Sequence, residues 1–328
     1  MSFNGCQKAP SPVTKTGVYF DTVISITLYE RNSSKLIDDC FALADNYDAL
    51  LSKTNNFSDV SKVNNSCMEW VQINPETFSI IERSMTYEDL SDGHFSVMCG
   101  ALTDLWDISG KSSIINNSES NISLDEIIPS KDDIEQAIKL CGKATIDLDA
   151  SSNSVRINTP GAKLDLGAVA KGYIADKMKE YLVSNGVTSG IIQLGGNVLL
   201  IGENPLREDG CYNIGITKPF SDDNASDNII TGVSEKDTSI VTSGNYQRYF
   251  KYNDKIYHHI IDLKTGYPAD NNLNSVAIIT DTSYDADALS TVAFIYGKKN
   301  GPNFIESLNK SDIKCQAIFI DNSNNILQ

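Results

Sequence analysis

Cations are scarce in this sequence: 27 Lys and Arg stand against 43 Asp and Glu, a formal net charge of −16, and nowhere do the basic residues gather into a block. Affinity for a nucleic-acid backbone comes mostly from cations that neutralise phosphates, so nucleic acid is excluded as a partner. A phosphate-bearing ligand would instead require a recruited metal cation. No apolar run approaches the roughly 20 residues of a bilayer-spanning helix, so membrane attachment is expected only through a tether. The seven cysteines include no CxxC pair, which removes a zinc cluster and a redox dithiol from the chemistry on offer. No internal repeat of fixed period occurs, and histidine is limited to three positions.

What is present is a chain of 328 residues, 41% hydrophobic, long enough to bury a large core as one big domain or two packed ones. The stretch VYFDTVISITLYE alternates well enough for a half-buried strand. NSSKLIDDCFALADNYDALLSKT and NPETFSIIERSM carry apolar residues at helical spacing behind capping residues. SDGHFSVMCGALTDLW reads as a turn into a partly apolar segment, and the Ser/Asn-rich DISGKSSIINNSESNISLDE as a surface loop. Beyond it β signals dominate: ATIDLDASSNSVRIN as a hairpin, SGIIQLGGNVLLIG as a strand interrupted at Gly195 and Gly196, and NSVAIITDTS as another strand. YDADALSTVAFIYG and PNFIESLNK follow as helices, with CQAIFIDNSNNI as a last strand. Strand and helix do not strictly alternate, so the expected class is α+β, built on antiparallel sheets.

Three constellations bear chemistry. In KLDLGAVAKGYIADKM, residues 163–178, an aspartate, a Gly-Ala turn and Lys171 fall where a strand hands over to a helix. Backbone amides, a carbonyl and a cation around one small space suit a phosphate-bearing ligand, although Lys171 also reads as an ordinary solvated helix residue. The span 242–268, TSGNYQRYFKYNDKIYHHIIDLKTGYP, gathers a Ser-Gly turn, a Tyr-rich strand, two histidines and an aspartate. In DADALST, Asp287 and Thr291 lie one helical turn apart and offer oxygens to a hard cation such as Mg²⁺; alternatively the acids here serve only a helix N-terminus.

KLDLGAVAKGYIAD, LGGN, TSGNYQRYF, HIIDLKTGYP and DADALST, in this order and spacing, resemble the ApbE family of FAD:protein FMN transferases over roughly residues 17–322. The resemblance implies a T-fold-like architecture with FAD in a cleft between two packed subdomains, and a domain spanning 17–328 behind a 1–16 leader. It implies Mg²⁺ ligation by the Ala168 carbonyl, Asp287 and Thr291, with Ser290 beside them where some relatives carry a second acid. FAD contacts then map onto Asp165 and Lys171, with Phe20 near the flavin, His94, Phe95 and Ser96 towards the adenosine, and Ile261 lining the site. Thr54 stands where several relatives place a Tyr over the cofactor. His259 is the candidate base, while His258 should point the other way along the strand.

The implied reaction moves FMN from FAD to a Thr or Ser hydroxyl of an acceptor flavoprotein bearing a Ser/Thr-Gly-Ala-Ser/Thr-type sequence, with release of AMP. Two alternatives stay open: a Mg²⁺-dependent FAD pyrophosphatase and a non-catalytic FAD-binding lipoprotein. Cys6, in MSFNGCQKAPSP, resembles the lipobox cysteine of bacterial lipoproteins, a reading that requires a signal segment upstream of the residues given. A tether on the outer face of the cytoplasmic membrane is expected from it.

Overall fold

The computed structural model describes residues 11–20, 22–117, 127–221, 227–311 and 313–327; Cys6 and its surroundings lie outside them. At the centre is an eight-stranded sheet made of Val13–Tyr19, Thr22–Leu28, Ser189–Leu194, Asn197–Gly202, Ser239–Gly244, Leu273–Thr280, Gln316–Asp321 and Ile326–Leu327. Spatial order follows chain order, and every neighbouring pair is antiparallel. The sheet is therefore a meander, and the segments between its strands are insertions laid over its faces.

Period-2 patterning sorts the side chains between two cores. Val241, Val276 and Ile278 join the large core under the helices, which include Ser34–Leu51, Ala170–Ser184 and Ser283–Lys310. Their neighbours Ile240, Ala277 and Ile279 face the other way, onto the hairpin Tyr212–Thr217/Ile229–Glu235. All eight residues of Leu273–Thr280 are buried as a result, which is why this strand reads as a continuous apolar run. A third cluster, with Leu102, Trp106, Ile134, Phe250, Ile261 and Leu263, forms a small separate lobe. The α+β class with antiparallel sheets is what the structure shows.

Several local expectations change. VYFDTVISITLYE spans the end of one strand, a tip and a second strand: Val13–Tyr19 pairs with Thr22–Leu28 as a hairpin, and Phe20 at its tip takes the left-handed φ of 52°. Its first strand starts at Val13, inside the stretch assigned to the leader. Gly195 and Gly196 do not interrupt one strand but form the two-residue turn between two, closed by the Leu194–Asn197 pair, with φ 61° at Gly195. GALTDLW is the helix Gly100–Trp106. The Ser/Asn-rich stretch begins as the helix Ile108–Asn117, because Ile108 and Ile115 are drawn into the small lobe; residues 118–126 are outside the described set.

Candidate active site

The 163–172 segment crosses from the small lobe to the large core. The Asp165 amide bonds the Val97 carbonyl at 2.8 Å, and its carboxylate is fully engaged. Oδ1 accepts the Gly167 N–H at 3.0 Å; Oδ2 accepts the Thr103 hydroxyl and the Lys53 ammonium, both at 2.8 Å. Burial alone would raise the pKa of Asp165, but the charge and hydrogen bond of Lys53, with the Gly167 and Thr103 donors, hold it below the ordinary carboxylate range. The chain then turns into the helix Ala170–Ser184. The Gly172 amide does not close a helical bond onto Ala168; it donates to Oδ2 of Asp287 at 2.9 Å, and no hydrogen bond of the described residues ends on the Ala168 carbonyl.

Asp287 reaches this point from the helix Ser283–Lys310. The first turn of that helix is fixed by Asp176, whose two oxygens accept the Ser283 and Tyr284 amides at 2.8 and 2.9 Å. Asp176 itself rides on the helix that carries Gly172, so the two helices are clamped together twice. They approach closely because position 172 has no side chain: a Cβ there would lie 2.7 Å from the Ser283 carbonyl carbon and 2.8 Å from the Tyr284 Cα. Burial raises the Asp287 pKa, while Lys171, 3.9 Å away, and the Gly172 amide pull it back. Lys171 also donates to the Gly167 carbonyl at 3.3 Å.

A Mg²⁺ fits what these residues leave open. Oδ1 of Asp287 accepts no hydrogen bond among the described residues, and the Ala168 carbonyl is likewise unclaimed. The Thr291 hydroxyl is held only loosely, 3.3 Å from the Asp287 carbonyl and 3.4 Å from the Ser243 hydroxyl. These are hard oxygen donors with a single carboxylate among them. No group of three or more His, Cys, Asp or Glu that could hold a metal occurs among the described residues. A magnesium ion here would rely on phosphate oxygens of the ligand to fill its shell, as Mg²⁺ commonly does. Ser290 lies beside these donors, fully buried, with its hydroxyl bonded to Ser243 at 2.8 Å and to the Asp287 carbonyl at 3.0 Å.

The sequence model of the ApbE family matches residues 20–317, which is nearly the whole chain. The chain belongs to the ApbE family. Among curated relatives, the FAD:protein FMN transferase of Klebsiella pneumoniae is 32% identical over 315 residues, covering 95% of this chain and 90% of the relative. The protein of the same name from Treponema pallidum is 30% identical over 274 residues, covering 80% and 71%. In structure, the ApbE protein of Thermotoga maritima superposes with a TM-score of 0.83 at 28% identity, over 97% of each chain.

The remaining residues implied by the ApbE resemblance are spread around this centre. His259 is half-buried. Its Nδ1 faces the Arg248 carbonyl at 3.2 Å, so that nitrogen carries the proton and Nε2 is left as an acceptor. Desolvation, with the neighbouring His258, Arg248 and Lys171, pushes its pKa far down, so the ring is neutral at neutral pH. A groove of about 610 Å³ is lined in part by Ser109, Gln247, Lys251 and the Arg248 that His259 meets. His258 does point the other way, buried, with Nε2 on the Ala269 carbonyl at 3.0 Å. His94 pairs with Asp262 at 2.7 Å. Phe95, Ser96 and Ile261 have buried side chains, and the Ser96 hydroxyl accepts the Met98 amide at 3.0 Å. Phe20 is half-buried at its hairpin tip. Thr54 is exposed and lies within 3.0 Å of the Ser52 hydroxyl, while its neighbour Lys53 reaches Asp165. Motif reading missed Lys53, Thr103, Gly172 and Ser243. All four lie inside quoted stretches, and Gly172 and Ser243 inside the family motifs, but no local pattern gave them a partner.

Proposed function

We propose that this chain is an FAD:protein FMN transferase that moves FMN from FAD to a hydroxyl of an acceptor flavoprotein. The observation that carries this reading is the junction at Gly172, where one buried carboxylate, one cation and an unclaimed carbonyl converge, in a chain 32% identical to a relative bearing that name. The acceptor oxygen attacks the FMN-side phosphorus, the bond from that phosphorus to the bridging oxygen breaks, and AMP leaves with the bridging oxygen. Bound Mg²⁺ would neutralise the pyrophosphate charge that otherwise repels the nucleophile. Asp287, Thr291 and the Ala168 carbonyl would hold it. Lys171 adds positive charge at the same place, and Asp165 orders the turn. His259, neutral and with Nε2 free to accept, takes the proton of the acceptor hydroxyl. The groove beside Arg248 is the side from which the acceptor approaches.

Hydrolysis of FAD to FMN and AMP is the second reading; the exposed Thr54, where several relatives place a Tyr over the cofactor, is what favours it. Phosphorus NMR of a reaction with FAD, Mg²⁺ and an acceptor domain bearing a Ser/Thr-Gly-Ala-Ser/Thr-type sequence separates the two. Transfer yields AMP and a protein-bound phosphodiester; hydrolysis yields AMP and the phosphomonoester of free FMN. A lipid tether at Cys6, holding the enzyme on the outer face of the cytoplasmic membrane, completes the proposal, on the strength of the residues around that cysteine. Recovery of the native protein without lipid and wholly in the cytosolic fraction would refute it.

A further inference from the structure

We infer that Lys53 is a positioning residue for FAD, acting through Asp165. The inference rests on the proposed function only in taking FAD as the ligand. Lys53 uses all three of its protons inward: to Asp165 Oδ2 at 2.8 Å, to Asp104 Oδ1 at 3.1 Å and to the Thr103 hydroxyl at 3.1 Å. Lys163 takes the other oxygen of Asp104 at 2.7 Å. A line of alternating charge, Lys163–Asp104–Lys53–Asp165, thus runs from the surface to the turn that bears Ala168. The last link is the Asp165 Oδ1 bond to the Gly167 amide.

The backbone around Lys53 is built to hold it there. Ser58 caps the helix Asp59–Asn65 by accepting the Ser61 amide and donates its own hydroxyl to the Ser52 carbonyl at 2.5 Å. The Ser61 hydroxyl grips the Lys53 carbonyl at 3.1 Å. A long lysine normally loses much side-chain entropy on being fixed, yet this one is anchored at both ends and only about a third exposed. Burial alone would lower its pKa, but the two carboxylates hold it above the usual lysine range, so the ammonium stays charged. Removing that charge leaves Asp165 and Asp104 as neighbouring anions with no cation between them. The Asp165 carboxylate, left with only the Gly167 and Thr103 donors, then holds the 165–168 turn less firmly.

The test is FAD titration of the parent, Lys53→Met, Lys53→Arg, Asp165→Asn and the double variant, each with a thermal melt. Lys53→Met should bind FAD roughly ten- to a hundredfold more weakly, the range for one charge-assisted hydrogen bond, and Lys53→Arg should restore most of the loss. In the Asp165→Asn background, Lys53→Met should add almost nothing, the mark of two residues acting as one unit. Parent-like binding by Lys53→Met overturns the inference. So does a full additional loss in the double variant, which would mean that Lys53 meets FAD directly. If Lys53→Met does not fold, Thr103→Val and Asp104→Asn, which each remove one partner of the lysine, must weaken FAD binding by a smaller factor; parent-like affinity in both overturns it too. Failure of the parent to bind FAD at all would instead strike the proposed function.

Discussion

Replacing Gly172 by alanine adds one methyl group at the point where the two helices of the site cross. Its carbon would sit 2.7 Å from the Ser283 carbonyl carbon and 2.8 Å from the Tyr284 Cα, and the Ser283 oxygen is closer still. These are backbone atoms clamped by Asp176, so no side chain can swing aside, and the helices must separate by about 1 Å to restore ordinary contact. Alanine gains about 1 kcal/mol of helix propensity over glycine, against about 1–3 kcal/mol or more for overpacking a rigid contact. A net loss of up to about 2 kcal/mol follows, or up to about 3 °C in Tm for a chain of 328 residues at the usual unfolding entropy per residue. The catalytic loss should be larger. A 1 Å shift stretches the 2.9 Å bond from the Gly172 amide to Asp287 beyond hydrogen-bonding range and moves Lys171 with it, and misplacement of that size costs on the order of a hundredfold in rate. Thermal melts alongside FAD turnover at saturating Mg²⁺ measure both. A Gly172→Ala enzyme with parent turnover would refute the argument that this crossing sets the site.

Asp287→Asn should abolish turnover without destabilising the metal-free fold. Burial holds the Asp287 pKa up, so its ionisation is a cost to folding that is absent below the ordinary carboxylate range and grows as pH rises through the raised folded value. At pH 7 the metal-free variant should melt at or above the parent, and the rise in Tm that Mg²⁺ with FAD gives the parent should vanish; a large drop in metal-free Tm would contradict this. Lys171→Ala should weaken FAD binding by about 1–3 kcal/mol while the fold persists, checked by titration and a melt. Gly167→Val should be milder than Gly172→Ala, since an added Cβ meets only Asp165 Oδ1, at 3.1 Å; equal losses in FAD affinity would put the turn and the crossing on the same footing. His258 bonds as a neutral ring, accepting the Ile260 amide and donating to Ala269, and desolvation lowers its pKa from 6.5 to about 4. Stability from this group is present above pH 6.5 and is lost as pH falls towards 4, on the order of 3 kcal/mol in all. Denaturant midpoints between pH 7 and 4 should fall more steeply for the parent than for His258→Gln.

The motifs made the centre of the site legible, because the residues that bear charge or hydroxyls there lie in short runs whose order is informative by itself. What escaped reading depends on distant partners. Gly172 looks like any helical glycine until Ser283 is laid over it. Lys53 and Thr54 are adjacent, and the Ser58 and Ser61 hydroxyls, held to the Ser52 and Lys53 carbonyls, fix which of the two turns inward. The Ser/Asn-rich stretch after Trp106 has loop composition, yet Ile108 and Ile115, two helical turns apart, commit its start to a helix once the small lobe exists to receive them. The hairpin at Phe20 was hidden because no glycine or proline marks its tip.

The most direct measurement is the intact mass of an acceptor flavoprotein after incubation with FAD and Mg²⁺, with AMP quantified in the same reaction. The account predicts an acceptor heavier by one FMN, one AMP released per adduct, and neither product when Mg²⁺ is chelated or Asp287 is alanine. An unmodified acceptor alongside free FMN and AMP in equal amounts, or undiminished transfer by Asp287→Ala, would contradict it.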